Sequence, residues 1–240
     1  MATFVICHGA WSAGWAWKKM RPRLAALGHE VFTATYTGIG DRSHLLHRSL
    51  NLDSHIQDVM QMVEYEGLRG IILVGHSYGG MVATGVADRL THAEPGRVRH
   101  LIYVDAFAPR QGQSLLSLGS EAERDRVRRL VAEQGSGWLL PPNPLPADTA
   151  AEDQAWCTPR RVAQPVACFE QAIQLTGAVE RLPRSYVYCN RAGPGDVFRQ
   201  FSNRARTEPN WRHFEIDTSH NPHITTPDEL TRIFRDIAAA

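Results

Sequence analysis

The stretch from residue 70 to residue 90 constrains this chain most. Ile71, Ile72, Leu73 and Val74 form an unbroken apolar run, the pattern of a strand buried on both faces of a parallel sheet. Gly75-His76-Ser77-Tyr78-Gly79-Gly80 follows at once, and helical spacing begins directly after it. A G-x-S-x-G string arises by chance in many proteins. Set between a buried strand and a helix, it predicts a nucleophile elbow, in which a strained turn presents the serine and its glycines let strand and helix backbones meet. The segment thus calls for a parallel sheet covered by helices, and it nominates Ser77 as a nucleophile.

The rest of the chain supplies that sheet. Residues 4–7 are an apolar run closed by His8-Gly9-Ala10, which predicts a buried strand ending in a turn. Helical character over 13–27, a strand over 30–36 and helical spacing over 52–66 lead into the strand at 70–74. A helix over 79–90 and a strand over 101–104 continue the alternation, giving an α/β fold of about six mostly parallel strands flanked by helices. After Asp105 the alternation stops. Residues 107–182 hold a charged helix over 121–133, a proline-rich stretch over 141–146 and a helix near 168–175, and they are expected to form a helical cap inserted into one domain spanning 1–240. A strand over 185–189, a helix over 197–206, a strand over 212–216 and a last helix from Pro227 complete the chain. Thr226-Pro227-Asp228-Glu229 offers that helix an N-cap threonine, a proline at the first position and a glutamate at the third.

Charge narrows the partners. Lys and Arg total 26 against 25 Asp and Glu, a formal net charge of +1, so the chain has no electrostatic footprint for nucleic acid or an anionic membrane. A small molecule is the expected ligand. Cys7, Cys157, Cys168 and Cys189 are scattered, with no C-x-x-C pair, and read as reduced residues rather than disulfides or metal ligands. There is no basic, cleavable leader pattern and no apolar run near the roughly 18 residues of a membrane span. Cytoplasm is the expected compartment.

A serine hydroxyl needs a base. His220 follows the last strand and precedes the last helix, which satisfies the chain order serine, acid, histidine of this arrangement. His223 is the rival, nearer the helix, whereas His8 is expected to shape the first loop. Oxyanion stabilisation needs two backbone donors, here the amides of Tyr78 and Ala10. The acid that orients His220 is open between two aspartates. Asp105 ends the strand over 101–104 and is the first choice; Asp196, beyond the strand over 185–189, is the alternative, although it also suits a helix N-cap. Gly9, Trp11, Phe107, Trp138 and Trp156 are expected to line an apolar substrate pocket. Arg124, Arg126, Arg128 and Arg129 interleave with acids and read as a solvated helix face. Gly38-Ile39-Gly40 lacks the third glycine of a dinucleotide site and reads as a loop near the catalytic face.

With His8-Gly9-Ala10-Trp11, Trp15, Trp17, Gly75-His76-Ser77-Tyr78-Gly79-Gly80 and the late His220 in view, the chain resembles the α/β-hydrolase superfamily, and within it plant-type methylesterases and hydroxynitrile lyases with their bacterial esterase relatives. In the lyase branch a threonine follows the first-loop histidine and a lysine follows the catalytic histidine. Here those positions are Gly9 and Asn221, so the resemblance favours the esterase branch. It implies ester hydrolysis through an acyl-enzyme on Ser77, no metal or organic cofactor, and a homodimer. Asp105 itself lies in a segment, Tyr103 to Phe107, similar to that of some haloalkane dehalogenases whose acid comes from this earlier strand. Two other readings use the same site: a biosynthetic cyclase, thioesterase or lyase, and a non-catalytic small-ligand receptor.

Overall fold

A computed structural model describes residues 1–193 and 195–239. Among these residues eight strands follow one another: β1 (Thr3–Cys7), β2 (Glu30–Ala34), β3 (Ile71–His76), β4 (Val98–Val104), β5 (Leu139–Leu140), β6 (Gln164–Pro165), β7 (Arg184–Cys189) and β8 (Trp211–Ile216). Six of them form one sheet in the order β2-β1-β3-β4-β7-β8, and every pairing in it is parallel. The chain runs outward from β1 to β2 and then crosses back to place β3 on the other side of β1. Ligands of open parallel sheets bind where the strand order reverses, beyond the carboxyl ends of the strands, and Ser77 stands one residue past the end of β3.

Burial on both faces explains the apolar runs. Val5, Cys7, Ile71, Leu73, Leu101, Tyr103 and Tyr186 point into one core, beneath α2 (Leu52–Tyr65) and α3 (Gly79–Ala93). Their neighbours Phe4, Ile6, Ile72, Val74, Ile102, Val104 and Val187 point into the other. That second core is closed by α1 (Met20–Ala26) and by α10 (Pro227–Ala238), which buries Leu230, Ile233, Phe234 and Ile237. The period of two along each strand thus feeds two cores at once.

Between β4 and β7 the chain adds α4 (Leu115–Leu118), α5 (Glu121–Gln134), the antiparallel β5–β6 pair, α6 (Ala151–Cys157) and α7 (Ala167–Glu170). After β7 come α8 (Arg199–Thr207) and, beyond β8, α9 (Pro222–Thr225).

Three local expectations need correction. The helical stretch at 13–27 is broken into a 3₁₀ turn, Gly14–Trp17, and α1. Pro22, lacking an N–H, fits only the first turn of a helix, so the helix restarts at Met20. The helix near 168–175 stops at Glu170: the Gln171 side chain bonds both the backbone and the carboxylate of Asp53, and Ile173 pairs in extended form with the 112–113 backbone. Thr226 does not cap α10 through its side chain. Because α9 runs directly into α10, its hydroxyl donates back to the Pro222 carbonyl, 3.4 Å away.

Candidate active site

The elbow is built by the close approach of three backbones. A Cβ on Gly79 would lie 2.0 Å from the Cys7 carbonyl oxygen, and one on Gly75 would lie 2.7 Å from the Gly80 Cα, so neither position admits a side chain. The turn leaves Ser77 at φ 54°. Asp105 (φ 42°) and Trp11 (φ 57°) are also left-handed, so among the described residues three of the five non-glycine residues with positive φ fall in this one region. Such strain persists only where surrounding contacts over-determine it, and it concentrates at functional sites.

Asp105, Ser77 and His220 converge from three loops. The Asp105 Oδ2 accepts from His220 Nδ1 at 2.7 Å, and His220 Nε2 lies 2.9 Å from Ser77 Oγ. With Nδ1 donating to the carboxylate, Nε2 is the basic nitrogen facing the serine. Asp105 is buried, its amide donates to the Val187 carbonyl and its Oδ1 accepts from the Cys189 amide at 3.2 Å. Burial raises its carboxyl above the ordinary value, opposed by the hydrogen bonds from His220 and Cys189. Asp196 is engaged elsewhere. It accepts from the Tyr188 hydroxyl at 2.5 Å and from the Phe198 and Arg199 amides at 3.0 and 3.1 Å, at the start of α8. His223 is buried and stacked on Trp17, with ring centroids 4.7 Å apart.

The His220 loop is held by two residues that sequence patterns did not single out. His76 donates from Nε2 to the His220 carbonyl at 2.8 Å, and the Phe198 ring stacks on the imidazole at 4.8 Å. Burial, with His223 and His220 nearby, holds His76 well below the ordinary histidine value, and hence neutral. The elbow motif names position 76 without specifying a histidine there, so only its spatial partner reveals the role.

Ala10 and Tyr78, the residues expected to supply the two backbone donors, line the same cavity as Ser77, and neither N–H has a backbone acceptor in a turn, loop or cap among the described residues. A Cβ on Gly9 would meet His76 Nδ1 at 2.8 Å and the Ser77 Cβ at 3.2 Å, so the first loop lies directly against the elbow. Beneath it is a buried aromatic stack. His8 packs on Tyr36 at 3.8 Å and Tyr36 on His55 at 4.7 Å, and His55 Nδ1 bonds the Tyr78 hydroxyl at 2.8 Å. The Tyr36 hydroxyl donates to the His8 carbonyl at 3.1 Å, and His8 Nδ1 donates to the Gly9 carbonyl at 2.9 Å. Burial pushes His8 and His55 down to about 3, so both are neutral members of this support.

Over Ser77 opens a cavity of about 1050 Å³, roomy for a small-molecule site. Gly9, Ala10, Trp11, Ser77, Tyr78, Phe107 and His220 line it, joined by Leu115, Leu116 and Val127 from the 107–182 segment. Trp11 ties the two walls together, its Nε1 donating to the Leu140 carbonyl at 2.9 Å and its amide to Gln164 Oε1 at 3.2 Å. Two expected pocket residues stand apart. Trp156 is sandwiched between the Lys18 ammonium at 3.4 Å and the Arg160 guanidinium at 3.5 Å, and Trp138 faces Arg48 at 5.3 Å. Both rings are half-buried against these cations, and neither lines the cavity over Ser77. The charged helix is also not wholly solvated, since Arg126 and Arg129 reach the cavity wall together with Arg161. Among the described residues no group of three or more His, Cys, Asp or Glu stands together in a way that would hold a metal ion, and no helix is long and apolar enough to cross a membrane.

A serine on a strand–helix elbow, hydrogen-bonded to a late histidine at the carboxyl edge of a helix-covered parallel sheet, defines the class of α/β serine hydrolases. The chain belongs to the alpha/beta hydrolase family, whose model matches residues 4–233. It is 35% identical to a carbendazim hydrolyzing esterase of Nocardioides sp. (strain SG-4G), covering 96% of this chain and 97% of that one. Methylesterase 2 of Arabidopsis thaliana is 31% identical over a shorter stretch, 44% of this chain and 40% of its own. Among solved structures, an extracellular alpha/beta-hydrolase from a Paenibacillus species superposes with a TM-score of 0.82 at 23% identity over 98% of each chain. That likeness shows the shared fold.

Proposed function

We propose that Ser77 carries an acyl-enzyme during hydrolysis of a carboxylic ester of a small, partly hydrophobic substrate. The protein is a carboxylic-ester hydrolase, a reading supported by the Nocardioides esterase that it matches over 96% of its length and by the alpha/beta hydrolase family. The observation that carries the residue assignment is the unbroken relay from Asp105 through His220 to Ser77, at 2.7 and 2.9 Å. In this reading His220 Nε2 takes the Ser77 proton as Oγ attacks the ester carbonyl, and the Ala10 and Tyr78 amides receive the developing oxyanion. His220 then returns the proton to the departing alkoxide. Water, deprotonated by the same nitrogen, releases the acid and restores Ser77. Asp105 keeps Nδ1 protonated and offsets the imidazolium charge that forms in each step.

Residues 107–182 act as the cap, a role supported by the leucines, Val127 and Phe107 that they place around the cavity. We place the protein in the cytoplasm, which is supported by four free, buried cysteines, and carry a homodimer over from the family resemblance alone. The test of the central claim is labelling with a fluorophosphonate, followed by a screen of short-chain, aryl and methyl esters with carbendazim, the compound named for the Nocardioides relative. One covalent adduct on Ser77, absent in Ser77→Ala, is expected. Failure of the native protein to label at Ser77 would sink the assignment.

A further inference from the structure

Three arginines, Arg126, Arg129 and Arg161, line the same cavity as Ser77. Arg126 is neutralised by Glu123, which it grips with two hydrogen bonds at 2.8 and 2.7 Å. Arg129 is exposed to water. Arg161 has no acidic partner among the described residues to neutralise it. It is half-buried, it spends one N–H on the Asn143 backbone carbonyl, and its guanidinium lies over the Trp11 ring, 5.6 Å from the centroid. Among the described residues no carboxylate lies within 4 Å of it. The acids on the cavity wall are already committed, Glu123 to Arg126 and Asp196 to Arg199, Tyr188 and the α8 amides.

Removing a cation from water is costly unless an anion or a set of acceptors replaces the lost hydration. Burial accordingly holds the Arg161 guanidinium below its ordinary pKa. A guanidinium has five N–H donors in a planar fork that matches a carboxylate, and most of those of Arg161 are unspent. Its position follows from Trp11. That residue comes directly after Ala10, and its indole is pinned by Leu140 and its amide by Gln164, so Arg161 is one indole ring away from the loop that would hold the oxyanion.

We propose that Arg161 is a specificity-determining residue that binds a carboxylate carried by the substrate, so that the preferred ester is one bearing a second, free carboxylate. The inference rests on the esterase reading above and names the substrate class of that site. The acyl or alcohol part lies along Trp11 and the leucines, and the free carboxylate lies in the fork of Arg161, which supplies its missing counter-ion.

The test pairs two nearly isosteric esters, the acetates of hydroxybenzoate and of hydroxybenzamide, each as 3- and 4-isomers. For at least one isomer the carboxylate ester should have a kcat/KM at least about tenfold higher, expressed mainly in KM, as expected for a charge-assisted hydrogen-bonded contact. In Arg161→Gln the ratio should fall close to one. A ratio near one in the native protein, or a ratio unchanged in Arg161→Gln because both esters slow equally, overturns the proposal and leaves Arg161 a purely structural tie to Asn143. A second readout does not need turnover: calorimetric binding of hydroxybenzoate to Ser77→Ala should weaken at least about tenfold when Arg161→Gln is added. Arg161-dependent binding in a protein whose Ser77 neither labels nor turns over ester would keep the carboxylate site and reject the esterase reading. Binding indifferent to Arg161 overturns the site.

Discussion

Replacing Asp105 by asparagine tests the relay at its least accessible point. The native carboxylate is buried and meets His220 Nδ1 at 2.7 Å. Asparagine keeps the size and removes the charge that offsets the imidazolium. Unit charges about 4 Å apart interact by about 4 kcal/mol at an effective dielectric near 20, and each 1.36 kcal/mol is tenfold in rate, so the loss in kcat should be about a thousandfold. A second effect has the same sign. The asparagine amide can donate to Nδ1 and stabilise the tautomer with Nε2 protonated, which cannot accept the serine proton. The assay is steady-state hydrolysis of an aryl acetate, with fluorophosphonate labelling rates as a check that does not depend on deacylation. Asp196→Asn is the matched control, expected to stay within about threefold of the native rate because asparagine retains an acceptor for the helix amides. An Asp105→Asn enzyme within tenfold of native, or a larger loss in Asp196→Asn, would refute the reasoning and move the acid to the β7–α8 loop.

Acid should unfold the protein early. His8, His55 and His223 are held to about 3 in the folded chain, chiefly by burial, against 6.5 for the free side chain. The unfolded chain therefore binds more protons between those values, so their contribution is complete above about pH 6.5 and is lost as pH falls toward 3. Each histidine can remove on the order of 1 kcal/mol per pH unit in that window, and the three together several kcal/mol per pH unit at most, so a fall of one or two pH units is large against a typical total of 5–15 kcal/mol. Urea denaturation at pH 7.5, 6 and 5 should show a steep fall in midpoint, and a flat profile would contradict the neutral assignments. Gly79→Ala should cost roughly 3 kcal/mol or more, the upper end of overpacking effects, because its Cβ would meet the backbone oxygens of Cys7 and His8 at 2.0 and 2.5 Å. Thermal melting measures this, and a Tm near the native value would mean that the elbow is less tightly built than described.

Patterns with a short repeat were legible in the sequence. Paired cores on the two faces of a parallel sheet demand continuous apolar strands, so residues 71–74 and 101–104 announced themselves. The elbow announced itself through glycines that leave no room for a Cβ. His220 could be placed because its loop lies between two recognisable elements, β8 and α10. Local chemistry was less dependable once a neighbouring element competed for the same group: Thr226 looks like a helix cap in sequence, yet its hydroxyl bonds the preceding turn.

By itself the sequence determined the α/β sheet, the strand–turn–helix that presents Ser77, and the loop that carries His220. These depend on periodicity, on glycine's freedom and on element order, all of which are written within a few consecutive residues. Tertiary structure alone decided which partners those residues meet. Asp105 and His220 are separated by 115 positions in the chain, and His76 and His220 by 144. The fate of each cap side chain turned on what packs against it: Trp138 and Trp156 lie under cations, and Arg161 faces the cavity without a carboxylate. Side-chain direction at such positions is set by packing between segments remote in the chain, and no local pattern encodes it.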